Sequence, residues 1–92
     1  MSAVPIVSVP GPYQGPTGGR GEIPVAGGSV RSCLEAVEAQ HPGFLELVLN
    51  PDGTLHRFVK LFINEEEIGP GELDRSLGES DRLEVLAAIA GG

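Results

Sequence analysis

The sequence predicts a small α+β domain in which one main helix packs on one face of a mixed sheet of four or five strands. Short β-branched segments bounded by proline and glycine are typical of strands. One other segment repeats its apolar residues at helical spacing. The chain has 92 residues, of which 40% are hydrophobic and 21% charged, enough for a single modest core. We expect this domain to span residues 1–87, followed by a flexible tail at 88–92.

Residues 3–9 and 21–26 predict the first two strands, because each is rich in Val and Ile and ends in turn residues. Pro5 and Pro24 cannot donate to a strand ladder, so we expect frayed ends or edge positions there. The segment between the strands, residues 10–21, contains three prolines and five glycines. It lacks the lysine of a phosphate-binding loop and is interpreted as a flexible loop.

A helix is predicted after Ser29, whose hydroxyl suits an N-cap. The apolar residues that follow fall at i, i+3, i+4 and i+7 and define one buried stripe: Val30, Cys33, Leu34 and Val37. Cys33 is therefore predicted to belong to the core. The helix is expected to stop at His41, because the residue before Pro42 is biased away from helical backbone.

The second half of the chain predicts two strands and two further elements for which the sequence leaves alternatives open. Residues 57–63 and 82–86 have the composition and alternation of strands. Residues 64–68 predict a turn or a short fourth strand, and residues 44–49 a helical turn or an apolar lid. With the first and last strands adjacent at the centre of the sheet, this order gives the β-grasp, or ubiquitin-like, arrangement.

The strand at 57–63 presents two different faces, since alternate residues point to opposite sides of a sheet. One set is wholly apolar and is expected to face the core: Val59, Leu61 and Ile63. The other set contains a lysine and is expected on the open face: Phe58, Lys60 and Phe62. Exposed aromatic residues often mark interfaces, so these three are predicted to bind a partner. The alternative is that residues 44–49 fold over the two aromatic rings.

The charge balance limits the possible partners. The formal net charge is −7, and eight of the 13 acidic residues lie between Glu65 and Glu84. This argues against nucleic acid and anionic membranes and favours a basic docking surface, unless the acidic face is merely solvated. Because no signal peptide or membrane-length apolar run stands out and there is a single cysteine, a cytoplasmic location is expected.

The last residues suggest a reactive terminus. Gly91 and Gly92 follow a run of small apolar residues, and glycine allows almost any backbone conformation. Such a tail could thread a narrow channel and present its carboxylate for activation. The alternative is an inert, frayed end. Neither His41 nor His56 has partners at ligand spacing, so no metal site is expected.

The chain resembles the small ubiquitin-like sulfur carriers of the MoaD and ThiS type over nearly its whole length. The resemblance rests on the helix start at 29–31, the segments 53–59 and 61–64, and the tail Ala88, Ile89, Ala90, Gly91 and Gly92. Residues 7–10 and 16–19 look most like the carrier of the cysteine-forming branch. The chain departs from the usual family pattern at two places. The turn before the last strand is Glu79-Ser80-Asp81 instead of Asp-Gly-Asp, and no proline precedes the tail. These differences leave the choice of partner open.

This resemblance implies a co-substrate rather than an enzyme. A ubiquitin-activating-type adenylyltransferase and sulfurtransferase would use ATP to adenylate Gly92, and sulfur would replace AMP to give a C-terminal thiocarboxylate. The acceptor would be a cysteine synthase-like or thiazole synthase-like enzyme, or the large subunit of molybdopterin synthase, to which this chain would be the small subunit. No cofactor is expected to be bound. Conjugation of Gly92 to lysines, as in a ubiquitin-like modifier, and a plain binding module remain alternatives.

Overall fold

A computed structural model describes residues 4–87 of the protein. The tail residues Ala88–Gly92 lie outside this range. The elements are five strands, β1 (Ile6–Ser8), β2 (Glu22–Pro24), β3 (Val59–Ile63), β4 (Glu66–Ile68) and β5 (Arg82–Ala87), and two α-helices, α1 (Val30–Gln40) and α2 (Leu45–Val48). None of the helices in residues 4–87 is long and apolar enough to cross a bilayer.

The strands form one mixed sheet in the order β2-β1-β5-β3-β4. β1 and β5 pair in parallel at the centre, whereas the other neighbouring strands are antiparallel. This confirms the predicted β-grasp topology, including the fourth strand. Pro24 lies on an edge strand as expected. The expectation for Pro5 was wrong: it is buried, and its carbonyl accepts a hydrogen bond from the Val25 amide at 3.0 Å. The ladder begins only at Ile6, so the missing amide hydrogen of Pro5 leaves no gap.

Helix α1 forms where the apolar periodicity places it. The Ser29 hydroxyl accepts a hydrogen bond from the Ser32 amide at 3.1 Å, and the Ser32 hydroxyl accepts one from the Ser29 amide at 2.9 Å. This reciprocal capping satisfies two backbone donors that a helix start otherwise leaves unpaired. All four residues of the predicted stripe are fully buried against the sheet, with Cys33 among them. The helix ends at His41, before Pro42.

The ambiguous segment at 44–49 contains the short helix α2. The carboxylate of Glu38 accepts hydrogen bonds from the amides of Gly43 and Leu45, at 3.1 and 2.8 Å, and so satisfies donors at the start of this helix. Phe44 is fully buried in the core. The core also contains the inward set of β3, so Phe44 lies on the opposite side of the sheet from the aromatic residues of the open face. The alternative in which this segment covers them is therefore wrong.

The loop at residues 10–21 is held by internal hydrogen bonds. Thr17 is only 2% exposed, and its hydroxyl lies 2.8 Å from the carbonyl oxygen of Arg20 and 3.2 Å from that of Gln14. The side-chain amide of Gln14 donates in turn to the Val9 carbonyl at 2.9 Å. The backbone of the loop is thus tied to the end of β1, which gives Arg20 a defined position.

Candidate protein-docking site

The sheet face opposite α1 is open, and strand register determines which side chains share it. β3 and β5 are antiparallel, with Lys60 opposite Leu86 and Phe62 opposite Glu84. Phe58 is 38% exposed and Leu86 42%, whereas Phe62 is half-buried. The structure therefore confirms the predicted alternation within Val59–Ile63 and places Lys60 and Phe62 beside the outward residues of β5. Phe58 lies in the turn that precedes β3. That Phe58, Lys60 and Phe62 bind a partner stays a prediction.

A shallow depression of about 210 Å³ lies on this face, toward the turn between β3 and β4. Phe62, Glu65, Glu84 and Leu86 line it. Sequence reasoning did not single out Leu86 or Glu84. The alternation of residues in the last strand could have identified them. Leu83 and Val85 point into the core, so Glu84 and Leu86 point to the open face. A shallow apolar floor with two carboxylates beside it suits a protein partner better than a small ligand.

Two ion pairs lie on the flanks of the open face. Lys60 lies 3.4 Å from the Glu67 carboxylate, across the pair of strands β3 and β4. Arg82 pairs with Glu22, and the hydrogen bond it donates to that carboxylate raises the pKa of the guanidinium. Both pairs are exposed, so each contributes little to stability. Their effect is to neutralise charge beside the apolar centre, which lowers the cost of covering it.

The root of the tail lies at one end of this face. Ala87, the last described residue of β5, stands opposite Val59, the first residue of β3. β3 begins at residue 59 rather than 57 because Val59 donates a hydrogen bond to the His56 carbonyl at 3.0 Å, closing a turn. In this turn the Arg57 guanidinium carbon lies 4.7 Å from the centre of the Phe58 ring. The described part of β5 therefore ends, at Ala87, near an exposed cationic and aromatic pair.

The predicted reacting residue, Gly92, and the other predicted tail residues, Ala88, Ile89, Ala90 and Gly91, lie outside the described part of the chain, and their roles stay predictions. The single cysteine, Cys33, is fully buried, and burial raises the pKa of its thiol. Both effects oppose thiolate chemistry. Among residues 4–87, no three His, Cys, Asp or Glu side chains are grouped so that they could hold a metal ion.

Comparison with known proteins identifies the family. Residues 7–92 match the ThiS family. The chain belongs to the ThiS family. Among its curated relatives is the sulfur carrier protein CysO of Mycobacterium tuberculosis, which is 32% identical over 89 residues, covering 94% of this chain and 96% of the relative. The same protein from Mycobacterium bovis shows the same values. These names describe a carrier and not a catalyst, in agreement with the prediction that this ThiS-family chain is not an enzyme.

Solved structures support the same assignment. CysO in the Amycolatopsis orientalis BexX/CysO complex aligns with a TM-score of 0.88 and 30% identity, over 97% of this chain and 100% of the matched one. The crystal structure of Mycobacterium tuberculosis CysO aligns with a TM-score of 0.84 and 28% identity, over 92% of this chain and 99% of the matched one. Small archaeal modifier protein 1 of Haloferax volcanii shares the fold. It aligns with a TM-score of 0.73 and 23% identity, over 96% of this chain and 98% of the matched one. The resemblance to the MoaD and ThiS carriers and the β-grasp fold are thus confirmed.

Proposed function

We propose that this ThiS-family protein carries sulfur as a thiocarboxylate on Gly92 and donates it to a biosynthetic synthase. The observation that carries the proposal is the family match, which extends to Gly92 and includes the Gly-Gly tail. The name of the curated relatives, sulfur carrier protein CysO, supports the same role. A cysteine synthase-like acceptor is the first choice, since both the curated relatives and two solved structures are CysO.

The end of β5 gives the tail a suitable starting point. The strand is paired with β3 up to Ala87, and the five residues that follow would reach roughly 16 Å when extended. Alanine and glycine make up four of these five residues. Such a tail can enter a channel too narrow for the folded domain, so Gly92 would meet the reacting groups while the sheet docks outside.

The chemistry begins with the carboxylate of Gly92, a poor electrophile. Attack of this carboxylate on the α-phosphorus of ATP, held by a ubiquitin-activating-type adenylyltransferase, expels pyrophosphate and gives an acyl adenylate. The terminal sulfur of a persulfide then attacks the carbonyl carbon and displaces AMP. A thiol cleaves the resulting acyl disulfide and leaves the thiocarboxylate. None of these steps requires a side chain of residues 4–87, which serve for recognition.

The open sheet face is proposed to dock both the activating enzyme and the synthase. Phe58 and Leu86 supply exposed apolar area near the tail root, and half-buried Phe62 forms the floor of the depression beside Glu65 and Glu84. Large apolar and aromatic groups at the centre of a patch commonly dominate binding energy. Docking there would hold the tail root in a fixed direction.

Intact-protein mass spectrometry tests the proposal. The chain is incubated with the adenylyltransferase of the same organism, ATP and sulfide, and we expect a mass gain equal to one sulfur-for-oxygen exchange, localised to Gly92. Cys33→Ala should show the same gain, since Cys33 is buried and has no role. A gain that depends on Cys33, or no gain from an enzyme that is active on its own known carrier, would overturn the proposal. Isopeptide-linked Gly92 in cells would indicate the modifier function instead.

A further inference from the structure

Within residues 4–87, two basic side chains differ from the rest in forming no ion pair. The chain has six Lys and Arg residues. Within residues 4–87, four of them form ion pairs: Arg31 with Asp74, Lys60 with Glu67, Arg75 with Glu66 and Glu72, and Arg82 with Glu22. Arg20 and Arg57 form none with those residues, and both are exposed. In a protein with net charge −7, two exposed cations that pair with no carboxylate of the described residues point to an external anion.

Arg57 lies on one side of the tail root. It precedes Val59, the residue opposite Ala87, by two positions, so its backbone lies just past the described end of β5. Its guanidinium stacks on the exposed ring of Phe58, an interaction that orders the side chain while leaving hydrogen-bond donors available.

Arg20 lies on the other side. The amide of Val9 donates to the carbonyl of Gly21 at 2.8 Å, and Ser8 is level with Glu84 of β5. Arg20 is therefore near the level of Leu86, two strands away, or roughly 10 Å at ordinary strand spacing. The hydrogen bond between the Thr17 hydroxyl and the Arg20 carbonyl fixes this stretch of backbone. Ala87 thus has on each flank one arginine that forms no ion pair with the described residues.

The acidic residues accumulate at the opposite end of the sheet. Glu65 and Glu66 lie at the turn between β3 and β4, and Glu79 and Asp81 lie just before β5 begins. Because β5 runs from this end toward the tail root, charge is separated along the strand direction. The net charge alone predicted a basic docking surface, but this distribution favours an acidic surface at the end from which the tail leaves.

We propose that Arg20 and Arg57 form a cationic rim that binds acidic side chains around the mouth of the channel in the activating enzyme; the inference rests on the function proposed above. The phosphate of an adenylate on Gly92 is not the target, since an extended tail places it roughly 16 Å from Ala87. The rim steers the tail end of the protein toward the channel, while the acidic end is repelled. Rim charges of this kind act on association rates and on their salt dependence.

The test uses the full chain, the activating enzyme of the same organism and ATP, with pyrophosphate release as the readout. The double variant Arg20→Gln/Arg57→Gln should lower kcat/KM about tenfold at low salt and flatten its salt dependence, with kcat unchanged. The matched control, Ser76→Glu/Ser80→Glu, changes the net charge equally but at the acidic end, and should lower kcat/KM by less than about twofold. Arg57→Lys should retain most of the activity, because it keeps the charge.

Circular dichroism of each variant establishes that the exposed substitutions leave the fold intact. If the arginine double variant and the serine double variant lose the same activity, or if the salt dependence of the arginine variant equals that of the unmodified chain, the cationic rim is refuted while the carrier function stands. If the unmodified chain releases no pyrophosphate, the proposed function and the rim fall together.

Discussion

Ala87 stands directly opposite Val59 in the antiparallel pairing of β5 with β3. The tail therefore begins beside the turn that holds Arg57 and Phe58. The parallel pairing of β1 with β5 brings the loop at residues 10–21 to the same end of the sheet. Three segments that are distant in the sequence thus surround the point where the tail leaves, which makes this end of the domain suited to present the tail to another protein.

Deletion of Gly92 should abolish adenylation without changing the fold. The core is built from residues 7–85 and glycine has no side chain to add to it, so the circular dichroism spectrum and Tm should match those of the unmodified chain. Loss is expected because the new terminal carboxylate would stop about 3.5 Å short of the reacting position. Pyrophosphate release measures the effect. A truncated chain that still accepts sulfur would contradict the role of Gly92.

Leu86→Glu should weaken docking of the activating enzyme. The side chain is 42% exposed on the open face, so the free energy of unfolding should change by no more than about 0.5 kcal/mol. A buried charge at the interface should raise KM about tenfold, which corresponds to about 1.4 kcal/mol of binding. Val4→Glu is the control, because Val4 is similarly exposed, at 38%, but precedes β1 at the acidic end. Equal effects of the two substitutions would argue against the proposed face.

Glu65→Gly should stabilise the domain. Asn64 and Glu65 form the turn between β3 and β4 with φ values of 49° and 73°, and a non-glycine residue in this left-handed region is strained. We expect a gain of about 0.5–1 kcal/mol in the free energy of unfolding, after the larger chain entropy of glycine in the unfolded state is included. Urea unfolding measures it. Glu79→Gly, at a residue without positive φ, should be neutral or destabilising; a gain there as large as at Glu65 would contradict the strain argument.

We expect the free energy of unfolding to fall on acidification as Asp81 is protonated. Hydrogen bonds from the Gly78 amide, at 2.7 Å, and from the Asn64 side-chain amide, at 2.8 Å, hold the pKa of this carboxyl below its ordinary value of 3.8. A carboxyl whose pKa is lower in the folded state than in the unfolded state stabilises the fold. This stabilisation is fully present above the pKa of the unfolded state and is lost as the pH falls through the pKa of the folded state. Tm should therefore decline below about pH 4, which is close to the pKa of an aspartate in the unfolded state.

Asp81→Asn isolates that contribution. The variant should have a lower Tm at pH 7 and a flatter profile below pH 4, because a neutral amide is a weaker acceptor for the two donors. Glu79→Gln removes a neighbouring carboxylate that accepts no side-chain hydrogen bond within residues 4–87 and serves as the charge-matched control. Should the two variants show the same pH profile, Asp81 would not be the group responsible.

Helix α1 and strand β3 could be predicted from the sequence because each signal is local. The periodicity of the buried stripe, the cap at Ser29 and the stop before Pro42 depend only on residues within one helix. The alternation around Lys60 likewise assigned the two faces of β3. Segment 44–49 could not be assigned, because its conformation depends on Glu38, in α1, and on whether Phe44 finds room in the core.

The sequence alone determined the family, the β-grasp fold and the candidate reacting residue, Gly92, because composition, periodicity and motifs are properties of contiguous residues. Only the tertiary structure decided which side chains share the docking face and the tail root. The proximity of Leu86 to Lys60, and the position of Arg20 and Arg57 on either side of β5, follow from strand register. Register is set by packing between distant segments, since shifting one strand by a single residue exchanges its inward and outward side chains.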